Sequence, residues 1–177
     1  MKKIFIFLFI NCFFMACAAN IHQSIITNKT LSTSTTPSNR IALIIEGSTI
    51  AKNSSDWQLF RAEWRTGLYE AAVGVGMNFS FFDTDIPPET KPTILIILKI
   101  DDYRYITTST RYSYGAMTGN AFMDIGVDLV ELPARRLIIS KKYKTSSSAW
   151  QGIFSAMTDK QIRAISDDII NCILQNK

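Results

Sequence analysis

Residues 40–83 read RIALIIEG STIAKNSS DWQLFRAEWRTGLYEAAVGVGM NFSFFD, and the change of period along them sets the architecture. Arg40 to Glu46 is an apolar run closed by Gly47, the pattern of a strand buried on both faces. From Trp57 the spacing lengthens. Trp57, Phe60, Trp64, Leu68, Ala71 and Ala72 recur at helical intervals, with Gln58, Arg61, Arg65 and Glu70 off that stripe. Ser55 and Gln58 have capping-box spacing, and Gly74 and Gly76 supply a stop. Asn78 to Asp83 then alternates again around Phe79, Phe81 and Phe82 before Ile86-Pro87-Pro88. Strand, helix and strand in this order predict a right-handed crossover between parallel neighbours.

Further along, the style becomes antiparallel. Thr93 to Thr107 predicts a long strand with Ile94, Ile96, Leu98 and Ile100 on one face. After glycines at 115 and 119, residues 120–132 place Ala121, Met123, Ile125, Val127 and Leu129 together. Leu132-Pro133-Ala134-Arg135 reads as a turn into a strand over 136–145. A final helix carries Ile162, Ile165, Ile169, Cys172 and Ile173 on one side, with Thr158 and Gln161 as a second capping box. The expected fold is α+β: a mixed, mostly antiparallel sheet of five strands covered on one face by two helices, in the order β-α-β-β-β-β-α.

The N-terminus is of another kind. Lys2-Lys3, an apolar run from Ile4 to Met15 and a small residue at 16 form a secretory signal, too short to cross a bilayer that takes roughly 20 apolar residues. Phe14-Met15-Ala16-Cys17 resembles the lipobox of bacterial lipoproteins, with Phe14 where leucine is usual. That resemblance implies cleavage after residue 16, acylation of Cys17, and, with Ala18 following, residence at the outer membrane facing the periplasm. Several acyl chains on one residue make a durable anchor where a single chain does not. Residues 17–39 are rich in Ser, Thr and Asn and predict a flexible tether, with a typical span of ~25 Å and an extended reach of roughly 70 Å. The expected organisation is a signal over 1–16, a lipidated tether over 17–39 and one periplasmic domain over 40–177.

Composition narrows the chemistry. The net charge of +4 includes Lys2 and Lys3, so the mature chain carries +2, with no basic stripe to engage nucleic acid. Cys12 leaves with the signal and Cys17 takes lipid, which leaves Cys172 as one thiol on an apolar helical face and no intramolecular disulfide. The single histidine, His22, lies in the tether. A domain without histidine lacks the commonest general base and metal ligand, which argues against a serine hydrolase or a zinc enzyme. Asp101 and Asp102 point to opposite faces of a regular strand, and Asp124 and Asp128 stand about 13 Å apart, too far for an acid–base pair across a glycosidic bond. Asp167-Asp168 fall opposite the helical stripe, where solvent is expected. Neither a catalytic centre, a metal site nor a cofactor is predicted.

Two stretches remain as candidate partner-binding elements. Tyr103, Arg104, Tyr105, Arg111, Tyr112 and Tyr114 surround one loop, and aromatic and arginine side chains are favoured at hot spots; the same tyrosines also fit cross-strand packing. Trp150, Ile153, Phe154 and Met157 form either a cap on the core or a docking turn. The segment from Lys142 and Tyr143 through Ser146 and Trp150-x-Gly152-x-Phe154-x-Ala156 to the last helix resembles the YajG-like outer-membrane lipoproteins and, more loosely, auxiliary lipoproteins of envelope lipid transport and lipopolysaccharide export. The resemblance implies an α/β sandwich on a lipid tether that docks on an envelope protein, or binds a lipid or glycan fragment, without catalysis.

Overall fold

The computed structural model describes residues 20–28, 38–84, 91–105, 120–146 and 157–176. Its elements are β1 (Asn20–Asn28), β2 (Arg40–Gly47), α1 (Thr49–Lys52), α2 (Trp57–Gly74), β3 (Asn78–Phe82), β4 (Thr93–Arg104), β5 (Phe122–Leu132), β6 (Arg136–Ser146) and α3 (Met157–Gln175). They form one mixed sheet in the order β1-β6-β5-β4-β2-β3. The α+β architecture and the five strands expected from residue 40 onward are present, and β1 adds a sixth.

That sixth strand corrects the tether. Residues 20–28, expected to be flexible, pair antiparallel with β6 from Asn20↔Ser146 to Asn28↔Ile139. The ladder satisfies backbone groups that β6 would otherwise present at an open edge, a gain that side-chain composition does not reveal. At the other end of the sheet the expected parallel pairing of β2 and β3 is present. β2 pairs parallel with β3, Ile41 opposite Phe79 and Leu43 opposite Phe81, and parallel with β4 on its other side. The remaining neighbours, β4 with β5 and β5 with β6, are antiparallel.

The helix ends differ from the capping boxes read in the sequence. Asp56, not Ser55, stands at the start of α2 and makes no side-chain cap bond. Its Oδ1 instead accepts from Ser54 Oγ at 2.6 Å and from the Tyr103 hydroxyl at 2.7 Å, so the carboxylate serves the loop and the sheet. In α3, Gln161 is fully buried and its amide has no partner, which rules out the second box. The short helix α1 was not foreseen. Ser48 caps it by accepting from the Ala51 amide, and Ser48 Oγ donates to the Asp101 carbonyl of β4 at 2.6 Å. The end of α2 matches expectation: Gly76 takes φ +76°, and Gly76 N and Met77 N bond back to the Val73 and Ala72 carbonyls as a Schellman motif.

Both long helices lie on one face of the sheet. Trp64, Phe60 and Leu68 of α2 are fully buried against Ile41, Leu43, Ile96, Leu98 and Ile125, with Ile162, Ile165 and Ile169 of α3 beside them. The helices meet at Gly67, where an added Cβ would stand 2.9 Å from Ile162 and 3.1 Å from Ser166 Oγ. Arg163 also bridges Asp159 and Glu70 across the pair. Those groups are half exposed, and such pairs contribute about 0–1 kcal/mol, whereas each fully buried large apolar side chain contributes roughly 1.5–3 kcal/mol. Apolar packing therefore sets the helix geometry. On the opposite face a smaller cluster joins Ala42, Ile44, Leu95 and Leu132.

Candidate functional site

Tyr103 and Tyr105 do not project outward as a docking loop requires. The β4–β5 register shifts between Ile100 and Asp102, so a bulge at Asp101 moves the strand's phase by one residue. Ile100 faces the helices, and after the bulge so do Tyr103, which is buried, and Tyr105, which packs partly buried against the core. Tyr103 stacks on Phe60 with centroids 3.9 Å apart and planes 3° apart. Burial, and the hydrogen bond to Asp56, push its hydroxyl well above the usual tyrosine value. Burial, with the carboxylates of Glu63, Asp159 and Asp56 around it, pushes Tyr105 up to about 12. Arg104 alone of these three is exposed. Arg111, Tyr112 and Tyr114 lie outside the described residues, as do Cys17, Trp150, Ile153 and Phe154.

Arginine and aromatic groups converge elsewhere, at the β3 edge, with Arg65 and Tyr69 exposed and Arg61, Phe81 and Trp57 partly or fully buried. Arg61 and Arg65, one turn apart on α2, hold their guanidinium groups 5.7 and 5.6 Å from the Phe81 ring centre, and Arg61 also lies 5.8 Å from that of Trp57. Arg61 Nη2 donates to Asp83 Oδ1 at 2.8 Å, and Nη1 reaches Gln58 Oε1 at 3.4 Å. Its buried Nε has no acceptor. Arg65 is exposed, with the Phe81 ring as its described contact. The row continues at Tyr69, half exposed and edge-on to Phe79 at 5.9 Å.

A groove opens beside this row. A 220 Å³ hollow between Arg61, Arg65 and Phe81 adjoins one of 780 Å³ beyond the carboxyl ends of β2 and β3, lined by Glu46, Gly47, Lys52, Trp57 and Thr84; the two share Gln58, Arg61 and Asp83. The larger hollow is in the size range of ligand clefts. Gly47 is needed for its shape. A Cβ there would stand 2.6 Å from the Trp57 ring, so glycine leaves room for the indole at the end of β2. In the sequence, only the i, i+4 spacing of Arg61 and Arg65 signals this place, since Phe81 and Asp83 join them through the crossover.

Other charged groups neutralise one another. Lys99 Nζ pairs with Asp128 at 2.7 Å, and Ser140 Oγ donates to the same carboxylate. Asp124 lies between Lys142 and Lys144, and Lys142 also reaches Asp101. Burial pushes both the Asp124 and Asp128 carboxyls up, but the lysine partners outweigh it and hold them below the usual range. Asp124 and Asp128 thus have separate cationic partners and form no acid–base pair. Asp168, expected in solvent, instead accepts from the Tyr143 hydroxyl at 2.6 Å and from the largely buried Lys141 ammonium at 3.0 Å, fixing α3 to β6. Cys172 is buried and free. Among the described residues no three acidic, histidine or cysteine side chains are placed to hold a metal ion, and no helix is long and apolar enough to cross a membrane.

No family model matches the chain, and no curated protein matches it. Solved structures do resemble it. A variant PelC dodecamer from Paraburkholderia phytofirmans in space group C2 aligns with a TM-score of 0.50 and 10% identity, over 85% of this chain and 95% of that one. The PelC dodecamer of the same organism in space group P6 gives 0.50 and 8%, over 88% and 97%. A DUF330 protein from Xanthomonas campestris gives 0.49 and 7%, over 77% and 86%. At these identities the PelC likeness concerns the fold alone.

Proposed function

We propose that the chain is a non-enzymatic accessory lipoprotein, anchored through Cys17 in the bacterial outer membrane, facing the periplasm and docking on a protein of the cell envelope. The observation that carries the docking reading is the placement of Arg61 and Arg65 over Phe81 at the sheet's edge. Guanidinium over aromatic is a chemistry of recognition surfaces, because it presents several hydrogen-bond donors on a support that desolvates readily. The signal and lipobox residues support the anchor. The 780 Å³ hollow favours a second reading, in which the groove takes a lipid or glycan fragment.

Crosslinking in intact envelopes, followed by affinity capture of the C-terminally tagged acylated protein and mass spectrometry of proteins and lipids, tests both. The docking reading expects a stoichiometric protein partner that is lost with Arg65→Glu. A defined lipid or glycan recovered without a protein moves the second reading to first place.

A further inference from the structure

We infer that the β3 edge takes an extended acidic segment of the partner as an added strand, with a carboxylate set under Arg61 and Arg65; this rests on the docking reading and names what is docked. The backbone gives the first argument. Among the described residues β3 is terminal in the sheet and pairs with β2 alone. The Asn78 amide donates to the Asn39 carbonyl at 2.8 Å, so Asn78, Ser80 and Phe82 turn their N–H and C=O groups toward β2. By the alternation of a strand, those of Phe79 and Phe81 point away from it. Two rungs of a ladder with no partner among the described residues are thus presented by the residues whose rings support Tyr69 and the arginine pair.

The side chains give the second argument. A strand laid on this edge places alternate side chains on the helix side, ~7 Å apart. One falls beside Phe81 under Arg61 and Arg65, the next beside Phe79 and Tyr69. The fitting segment therefore carries an acidic residue two positions from an aromatic or branched apolar one. Backbone pairing gives such a segment its affinity and the side-chain pockets its specificity.

Charge also separates a foreign segment from a second copy of this chain. The other terminal strand, β1, has the sequence NIHQSIITN and contains no carboxylate to meet the arginines. Arg61 is already paired with Asp83, so two β3 edges brought together would set Arg65, which has no described carboxylate partner, against its own duplicate, and like charges in juxtaposition oppose association. The occupant consistent with the edge is acidic and comes from another protein.

The test uses the acylated full chain in detergent micelles and a fluorescein-labelled peptide in which threonine alternates with valine, glutamate, tyrosine and valine. Anisotropy is expected to show saturable, salt-sensitive binding, weakened by about tenfold or more when glutamine replaces glutamate, when alternate peptide amides are N-methylated, or when the protein carries Arg65→Glu. A lysine-bearing peptide is expected to recover binding to Arg65→Glu. Equal binding of the glutamate and glutamine peptides, undiminished binding of the N-methylated peptide, or no binding at all overturns strand addition. So does an Arg65-dependent self-association with no peptide bound, which assigns the edge to a second copy. The envelope capture separates the two levels: an Arg65-dependent partner with a silent peptide leaves docking standing without strand addition, while a partner indifferent to Arg65→Glu removes docking at this edge whatever the peptide does.

Discussion

The ring of Tyr103 lies flat on that of Phe60, 3.9 Å between centroids, while its hydroxyl donates to Asp56 at the start of the same helix. One side chain thereby fastens the end of β4 to both the face and the first turn of α2. Tyr103→Ala is expected to destabilise the domain by about 3–5 kcal/mol, the range for removing a buried aromatic. Tyr103→Phe keeps the stack and loses the hydrogen bond, for about 1 kcal/mol. Chemical denaturation of the two variants checks the ratio, and equal losses would show that the ring contributes nothing beyond its hydroxyl.

The crossing of α2 and α3 at Gly67 leaves no room for a side chain. Gly67→Ala is expected to force Ile162 and Ser166 aside and cost about 1–3 kcal/mol, the usual scale of overpacking. An unchanged thermal midpoint would mean that the helices do not approach as described. Trp64→Ala, at the centre of the same seam, is expected to cost about 3–5 kcal/mol.

Acid weakens the outer face of the sheet. The folded carboxyls of Asp124 and Asp128 sit below their ordinary value of 3.8, so the stability that they contribute is full above that value and is lost as pH falls through the lower folded values. Thermal midpoints measured from neutral pH downward are expected to fall below about pH 4, and Asp128→Asn to flatten that fall. Identical acid limbs for both proteins would remove Lys99–Asp128 as a contributor.

Alkali acts through Tyr143. Burial, then the hydrogen bond to Asp168, raises its hydroxyl above the ordinary value of 10.0, so its contribution is full below that value and declines as pH rises above it. Tyr143→Phe is expected to cost about 1–2 kcal/mol at neutral pH and to lessen the alkaline decline. A steeper decline in the variant would show that the Tyr143 hydroxyl is not the group lost to alkali.

The proposed anchor is lipid alone. Cys17→Ser is therefore expected to move the protein out of the detergent-free membrane fraction, as followed by fractionation and metabolic labelling with a fatty acid. Retention of the unlabelled variant in the membrane would defeat the assignment.

Local period made the β2-α2-β3 unit legible, because Trp57, Phe60, Trp64 and Leu68 leave one reading of which face is buried. It failed at Asp101. A bulge inserts one residue without a compositional mark, yet it turns Tyr103 and Tyr105 from one side of the sheet to the other. β1 was hidden for a different reason: Ser, Thr and Asn suit both a loop and an edge strand, and what decides between them is pairing with residues more than a hundred positions away. The arginine groove lay between these cases. Its helical half, Arg61 and Arg65, was visible as a polar face, but Phe81 and Asp83 reach it only by tertiary structure.

Under the anchor proposed at Cys17, the pairing of β1 also decides which part of the sheet stands nearest the bilayer. For a chain held at Cys17, only Ala18 and Ala19 precede Asn20, so the first paired residue can lie no more than ~10 Å along the chain from its acyl anchor. In that proposal the Asn20 end of β1 is the foot at the bilayer. Five inter-strand steps of ~4.8 Å separate the β3 edge from β1 by about 24 Å, so the proposed docking edge and the proposed anchor use opposite ends of the sheet.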